Sequence, residues 1–208
     1  IIPVHNKIEY TTQCLHTLYE KTKGVEFEVI VIDNASTDGT KKHLDQAAKD
    51  YPNLRVVRNE ENLGFAKACN QGARVAKGDY LVFLNNDTEV QEEWLLAGLH
   101  RLLDDPNIGI VGGKLLYPDR TIQHCGIEFV RDEAAYGFLA WPVHPTMGAC
   151  ENDPRANKPR DVQAVTGACL FIRSDLFESI QGFDENYGMY FEDTDLCFKA
   201  RKAGKRVF

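Results

Sequence analysis

The chain has 208 residues, a length that fits one domain of ordinary size or two small ones. It is 43% hydrophobic and 26% charged, which is typical of a globular protein able to bury a continuous core. Its 24 basic and 31 acidic residues give a net charge of −7, which argues against a nucleic-acid partner because a phosphate-backbone binder needs a basic surface.

Strand and helix patterns alternate through the first half of the chain. Short apolar, β-rich runs predict buried strands at residues 1–4, 27–32, 54–57, 80–84 and 108–111. A helical pattern follows each of the first four runs; the four patterns begin after Asn6, begin after the turn at 34–39, and span 65–76 and 94–103. Asn6 can cap the first of these helices, with Glu9 as its capping-box partner. This order is typical of βαβ units, so we predict an α/β fold with a mostly parallel sheet, in which ligands bind beyond the carboxyl ends of the strands.

The second half of the chain departs from this alternation. Residues 122–130 and 162–172 predict two long strands, compatible with a small antiparallel addition to the sheet. Between them, the 131–160 segment holds four of the eight prolines, many charges and little periodicity. A loop of this length is usually functional or disordered, and the sequence leaves both alternatives open.

The spacing of the cysteines and the lengths of the apolar runs argue against a zinc-binding protein and against a membrane-spanning protein. The six cysteines stand at least 19 residues apart, which argues against a compact zinc site and predicts free thiols in a reducing compartment. No run approaches the ~20 apolar residues of a membrane span, and no signal-peptide pattern is present. The apolar start at residues 1–4 and the strand-like end at 205–208 predict that the chain is a piece of a longer polypeptide.

Asp33 ends a predicted strand and leads into the turn at 34–39. A charge at the end of a buried strand is costly without a partner, so we favour a functional carboxylate that accepts hydrogen bonds from a nucleobase or a ribose. For Asp38 we favour the simpler interpretation of a helix N-cap. Asn62 and Gly64 precede the third helix, whose N-terminus would favour an anion, although a capped helix start explains them equally well.

The fourth predicted strand runs directly into three oxygen-bearing side chains, Asn85, Asn86 and Asp87. Hard oxygen ligands at one point suit Mg²⁺ or Mn²⁺ bridged to a diphosphate. The alternative is an Asx turn, and the residues alone do not choose between the two.

A cluster of carboxylates, Glu192, Asp193 and Asp195, opens the last predicted helix. Part of this negative charge serves the helix dipole. Glu192 and Asp193 are consecutive, so they point about 100° apart and cannot both face one ligand as equals. A plain acidic helix start explains Asp195 better than it explains Asp193.

The order and spacing of these segments resemble those of the family 2 glycosyltransferases with the GT-A fold. The matching segments cover nearly the whole chain and read PVHN, VIDNASTDGT, NLGFAKACNQG, LNNDTE, TGACLFIR, GFDE and FEDTDLCFKA. The resemblance implies a Rossmann-like, mostly parallel central sheet flanked by helices, in a single domain with a nucleotide-sugar-binding half (1–115) and an acceptor-binding half (116–208). It implies transfer of a sugar, usually with inversion, from a nucleotide diphosphate sugar to an acceptor hydroxyl with the help of a divalent metal.

The resemblance also implies roles for individual residues. Those that contact the nucleotide are Pro3, Asp33, Asn62 and Asn86. Asp87 ends a DxD-like motif that here reads Asn-Asn-Asp, and it corresponds to the ligand of Mn²⁺ or Mg²⁺ and the diphosphate. The donor-sugar and acceptor pocket is implied to contain Thr166, Gly167, Ala168 and Asp184. Asp193 corresponds to the catalytic base, and Glu192 beside it would shape the acceptor pocket.

The same resemblance sets expectations for partners and location. UDP is the expected carrier, with dTDP (as in rhamnosyl transfer) as the alternative, and the acceptor is a glycan or a lipid-linked molecule in polysaccharide or glycoconjugate biosynthesis. We expect a cytoplasmic location, with peripheral attachment to the inner membrane face as a variant, further domains in a longer polypeptide, and a mobile lid at 131–160 over the acceptor side. A catalytically silent nucleotide-sugar-binding domain is the alternative, but the presence of both Asp87 and Asp193 argues against it. A dinucleotide-dependent dehydrogenase is excluded because the first strand is not followed by a G-x-G-x-x-G turn.

Overall fold

The computed structural model describes residues 1–131, 140–188 and 190–208. Over these residues the strands are β1 (Ile2–Val4), β2 (Val29–Asn34), β3 (Leu54–Asn59), β4 (Tyr80–Leu84), β5 (Ile108–Gly112), β6 (Leu115–Leu116), β7 (Ile122–His124), β8 (Glu128–Arg131), β9 (Ala140–Val143), β10 (Cys169–Arg173) and β11 (Arg206–Val207). The helices are α1 (Ile8–Lys21), α2 (Thr40–Asp50), α3 (Phe65–Val75), α4 (Trp94–Asp104), α5 (Ser174–Ser179) and α6 (Glu192–Lys202). None of the helices in this described part is long and apolar enough to cross a lipid bilayer.

A central sheet organises the fold. β2 pairs in parallel with β1 on one side and β3 on the other. β1 continues to β4 through hydrogen bonds from the Ile1 amino group to the Val82 carbonyl (2.8 Å) and from the Leu84 N–H to the Ile1 carbonyl (3.0 Å). β10 then lies between β4 and β5, antiparallel to both, and β11 pairs in parallel with β5. The predicted α/β class is confirmed, with β10 as the antiparallel addition within the sheet.

Helices cover both faces of this sheet. Val29 and Val31 of β2 pack with buried leucines of α1, α2 and α4. Ile30 and Ile32 face the opposite side, where they pack with Ala68 of α3. Every residue of β2 is buried, and its apolar run therefore shows no alternation with polar residues, as expected for a strand covered on both faces.

The two long strands predicted in the second half are shorter in the structure. The predicted run 122–130 is split between β7 and β8, because Gly126 adopts a left-handed φ of 97° that turns the chain. The predicted run 162–172 enters the sheet only at β10, since its first residues form a single bridge at Ala164 and then a turn. The prediction of strand content was correct, and that of strand length was wrong.

The predicted capping role of Asn6 is also wrong. Asn6 and Lys7 are both left-handed, and α1 begins at Ile8 with no side-chain hydrogen bond from its N-cap residue. The Asn6 side-chain oxygen instead accepts the Thr37 N–H at 2.7 Å, which ties the loop after β1 to the loop after β2. The Asp38 carboxylate serves both helix starts, accepting the Ile8 N–H at 3.1 Å and the Thr40 N–H at 2.9 Å. The N-cap residue of α2 is Gly39, so Asp38 stands one residue before the predicted cap position, although its carboxylate does accept the first N–H of the helix.

Candidate active site

The predicted site residues of the first half lie at one edge of the sheet. In the parallel pairing of β1 with β2, Val4 stands opposite Asp33, so both strands end together. β4 ends beside them at Leu84 and is followed by Asn85, Asn86 and Asp87. This edge is where an α/β sheet binds its ligands.

Asp33 is almost fully buried at this edge, with 3% of its surface exposed. Its carboxylate accepts the Ser36 N–H at 3.0 Å, and the Arg58 Nε lies 3.9 Å away. Pro3, on the neighbouring strand, pairs with Ile32, directly before Asp33. The buried Asp33 charge therefore has partners within the protein, the Ser36 N–H and the Arg58 guanidinium, and does not depend on a ligand alone.

The loop before α3 is fixed from two sides. The Asn62 side chain is exposed and accepts the Gly64 N–H at 3.0 Å, and Gly64 has a φ of 81° that favours glycine. The Gly64 carbonyl accepts the Asn34 amide at 3.2 Å, and the Asn59 amide donates to the Asn34 side-chain oxygen at 2.7 Å. Asn34 and Asn59 were not predicted as site residues, although each follows the predicted end of its strand by two residues.

The turn after β4 leaves the Asp87 carboxylate exposed, and it makes no hydrogen bond or ion pair with any residue that the structure describes. The turn is closed by the Asn85 carbonyl, which accepts the Thr88 hydroxyl at 2.6 Å, while the Asn86 amide donates to the Thr11 hydroxyl at 3.0 Å. The turn is therefore closed by a backbone carbonyl, and none of the three described side chains, Asn85, Asn86 and Asp87, forms an Asx turn.

The donor set at this turn fits a metal that arrives with a ligand. Among the described residues no group of three or more His, Cys, Asp or Glu side chains could hold a metal ion. Asp87 is one free hard oxygen ligand, and Mg²⁺ is commonly held by one or two carboxylates together with substrate phosphates and water. The residues present therefore suit a diphosphate-bound cation, and they do not form an all-protein metal site.

Residues Thr166, Gly167 and Ala168 form a turn that links the two ends of the candidate site. The Ala168 carbonyl accepts the Asn85 N–H at 3.0 Å, two residues before Asp87. The Gly167 N–H donates to the Asp193 carboxylate at 2.9 Å. The hydrogen bond to Asp193 joins residues 26 apart in sequence and connects the turn that precedes β10 to the start of α6.

Asp193 and Glu192 have different surroundings at the start of α6. The second Asp193 oxygen accepts the Thr194 N–H at 2.7 Å and lies 3.3 Å from the Thr194 hydroxyl. Glu192 is half-buried, and one of its oxygens is buried with no hydrogen-bond partner among the described residues. Burial, reinforced by the neighbouring Asp193 charge, raises the pKa of Glu192. The predicted difference in orientation between the two carboxylates is consistent with these contacts.

A pair of histidines that was not predicted from the sequence borders this turn. His124, at the end of β7, is 2% exposed, and its Nδ1 lies 3.0 Å from the Nδ1 of His144. The His124 Nε2 accepts the Thr166 N–H at 3.3 Å. The two histidines are 20 residues apart and stand outside every recognised motif, so no spacing signal pointed to them.

Asp184 lies in a separate turn. Its carboxylate accepts the Asn186 N–H at 2.9 Å, and this hydrogen bond holds the pKa of Asp184 below its usual range. Within the described residues no hydrogen bond or ion pair joins Asp184 to the Thr166–Ala168 turn. Its position is fixed through the preceding residue, because the Asn70 amide on α3 donates to the Phe183 carbonyl at 2.9 Å.

The segment predicted as a lid is described only in part, since residues 132–139 lie outside the described residues. The following part pairs β9 with β8 and hydrogen-bonds to β7 through the Ala149 carbonyl, which accepts the Ile122 N–H at 2.8 Å. His144 belongs to this part, so the segment borders the candidate site. Its mobility stays a prediction.

Comparisons with known proteins place this geometry in context. The family model described as Glycosyl transferase family 2 matches residues 1–125. An N-acetylglucosaminyl-diphospho-decaprenol L-rhamnosyltransferase of Mycobacterium tuberculosis is 30% identical over 196 residues, which cover 85% of this chain and 61% of the relative. The chain spans between 16% and 61% of the length of the first curated relatives that it matches.

Two solved structures share the fold. One is the mannosyltransferase PcManGT from Pyrobaculum calidifontis in complex with GDP-Man and Mn²⁺, with a TM-score of 0.71 and 23% identity over 100% of this chain and 52% of that one. The other is GalNAc-T7 with UDP, GalNAc and Mn²⁺, with a TM-score of 0.75 and 19% identity over 99% of this chain and 40% of that one. At these identities the likeness shows the fold alone, which is GT-A.

Proposed function

The chain belongs to glycosyltransferase family 2, and on this premise we propose that it transfers a sugar from a nucleotide diphosphate sugar to an acceptor hydroxyl, with inversion. The observation that carries the proposal is the Thr166–Ala168 turn, which hydrogen-bonds to Asp193 on one side and to Asn85, beside Asp87, on the other. A single displacement at the anomeric carbon needs a base and a diphosphate ligand in fixed relative positions, and the hydrogen bonds of this turn connect the segments that carry them.

Asp193 is the proposed base. A carboxylate offers about four acceptor positions, and the Gly167 N–H with the Thr194 N–H and hydroxyl fill three of them. One position remains to take the proton of the acceptor hydroxyl as its oxygen attacks the sugar. The same three donors fix the direction of the carboxylate, and Glu192 beside it shapes the acceptor pocket.

Asp87 is the proposed ligand of the donor's diphosphate through Mn²⁺ or Mg²⁺. A bound divalent cation would offset the negative charge that the leaving nucleotide develops. The exposed Asp87 carboxylate has no competing partner among the described residues, so it is available to hold such a cation. The Asn86 amide is committed to Thr11, and this contact keeps the turn in place at the diphosphate end.

The proposed nucleoside end of the site is lined by Pro3, Asp33 and Asn62. The proposed donor-sugar and acceptor side is lined by Thr166, Gly167, Ala168 and Asp184. UDP is the proposed carrier, and GalNAc-T7, which shares the fold, is solved with UDP. dTDP is the second candidate, because a relative is a rhamnosyltransferase. Calorimetric titration with UDP, dTDP and GDP in the presence of Mn²⁺ tests this choice, and equal affinity for the three would contradict a base-specific nucleoside site.

The acceptor is proposed to be a glycan or a lipid-linked sugar, and the diphospho-decaprenol acceptor in the name of the M. tuberculosis relative supports the second. The proposed location is the cytoplasm or the inner face of its membrane. All six cysteines are free thiols, as suits a reducing compartment.

Replacing Asp33 with alanine is expected to weaken UDP binding by about tenfold whether or not a metal is present. The proposed role of Asp33 is to accept a hydrogen bond from the nucleoside, and hydrogen bonds to charged groups contribute about 1.5–3 kcal/mol. Calorimetry with Mn²⁺ and again with EDTA measures the loss, and thermal unfolding checks that the buried substitution leaves the fold intact.

Asp45→Ala is the matched control for Asp33→Ala. Arg58 also contacts the Asp45 carboxylate, at 2.6 Å, so the control removes an equal charge from the same guanidinium at an exposed position. It should leave UDP affinity unchanged. An Asp33→Ala loss confined to the metal-containing titration would instead assign Asp33 to the diphosphate end.

A further inference from the structure

We propose that His124 is a positioning residue for Asp193, acting through the backbone of the Thr166–Ala168 turn, with His144 as the partner that fixes its tautomer. The proposal rests on the proposed function, because it needs Asp193 to be the base.

The Nε2 atom of His124 acts as an acceptor only. It lies 3.2 Å from the Gly126 N–H and 3.3 Å from the Thr166 N–H, and both of these groups are donors. An Nε2 that carried a proton would place three hydrogens against one another, so the lone pair must face the backbone. His124 is thus a neutral imidazole that satisfies one buried and one partly buried backbone donor.

His144 completes this assignment. With Nε2 of His124 unprotonated, the proton of the neutral ring is on Nδ1, which donates to the Nδ1 of His144 at 3.0 Å. The rings meet edge to face, with centroids 5.1 Å apart. Burial, with the neighbouring His144, lowers the pKa of His124 to about 3, so the ring stays neutral at ordinary pH. The pair forms one continuous hydrogen-bond path from His144 to the Thr166 backbone.

The next residue carries this path to the base. The Gly167 N–H donates to Asp193 at 2.9 Å, and a Cβ at Gly167 would lie 3.0 Å from the Phe65 ring and 3.5 Å from the Asp193 Cβ. The turn therefore packs tightly against Phe65 and lies in ordinary contact with Asp193. A shift of its backbone moves the donor that orients the carboxylate. Because His124 anchors the adjacent peptide, it sets where that donor points.

The test is a double-mutant cycle in the full-length polypeptide. A panel of UDP- and dTDP-sugars is screened first, and the donor that gives the fastest nucleotide release is used throughout the cycle. His124→Leu, which removes the acceptor, is expected to lower kcat by about tenfold or more with UDP affinity within about threefold. In the Asp193→Asn background the same substitution should lower kcat by less than about twofold, because the group it positions is already gone.

Two further variants sharpen the cycle. His124→Gln carries a side-chain oxygen near the position of Nε2 and is expected to restore at least about half of the wild-type kcat. His100→Leu is the matched control, because His100 is exposed on α4 and should tolerate the change. Equal losses from His124→Leu in both backgrounds would show a merely structural effect and overturn the inference. If Asp193→Asn alone leaves kcat unchanged, the proposed base fails first, and the two failures are thereby distinguished.

A measurement on the unmutated protein covers the case in which His124→Leu does not fold. Nitrogen-15 NMR of the imidazole rings should show His124 with its proton on Nδ1 and a bare Nε2. The opposite tautomer, or a protonated ring at neutral pH, would overturn the inference, because neither could accept the Thr166 N–H.

Discussion

Replacing Asp193 with asparagine is expected to lower sugar transfer by about 100-fold or more while UDP affinity stays within a few-fold. Asparagine keeps the shape of the side chain, and its single oxygen can still accept the Gly167 N–H, although its NH2 group no longer accepts the Thr194 N–H. It cannot take the proton of the acceptor hydroxyl. The loss should therefore appear in kcat, measured as nucleotide release in the presence of acceptor, and calorimetry should show that the donor site is intact.

Asp195→Asn is the matched control for this substitution. It removes the same charge from the same first turn of α6, at a residue whose carboxylate pairs with Lys199 at 3.0 Å. Loss of this ion pair on a helix has a small effect on stability, and transfer should be retained. If Asp193→Asn transfers sugar at close to the wild-type rate, the base is another group, with Glu192 as the next candidate.

Removal of the divalent metal is expected to weaken UDP binding by at least about tenfold, or 1.4 kcal/mol. A diphosphate brought to the Asp87 carboxylate meets like charge, and a cation between them turns that repulsion into attraction. Asp87→Ala should reproduce the effect of EDTA, and EDTA should have little further effect on this variant. Calorimetric titrations with Mn²⁺ and with EDTA measure all four combinations.

Glu89→Ala is the control for Asp87→Ala, because Glu89 is also an exposed carboxylate and stands two residues further along the chain. It contacts Gln13 at 3.3 Å and is expected to leave the metal dependence unchanged. Unchanged UDP binding in EDTA would show that no divalent metal takes part in UDP binding.

The first half of the fold was predictable because its signals are local. Strands such as β4 are apolar runs of ordinary length, and the polar residues that follow, such as Asp87, mark the carboxyl edge of a parallel sheet. The fold class follows from the order of such elements. Gly126 within a predicted strand was an available signal of a break, since an isolated glycine there often marks a bulge or a turn.

The parts of the site that depend on long-range contacts were not predictable. The hydrogen bond from Thr166 to His124 joins residues 42 apart, and neither residue type signals the other in the sequence. Asn6 shows the same limit, because its preference for capping was overridden by a left-handed backbone and a contact with Thr37 in the neighbouring loop. Local propensity decided which elements form, and tertiary contacts decided what the polar side chains between them do.

The proposed sugar transfer is tested most directly by measuring nucleotide release by the full-length polypeptide, as the wild type and as Asp193→Asn. The donors are a panel of UDP- and dTDP-sugars with Mn²⁺, and each is assayed with and without glycan and lipid-linked acceptors. We expect the wild type to release nucleotide from one donor, and to do so faster with an acceptor. Asp193→Asn should bind this donor but release nucleotide at least about 100-fold more slowly. A wild-type protein that binds a nucleotide sugar with Mn²⁺ and releases nucleotide under none of these conditions would contradict the proposed transferase function and would identify a silent binding domain.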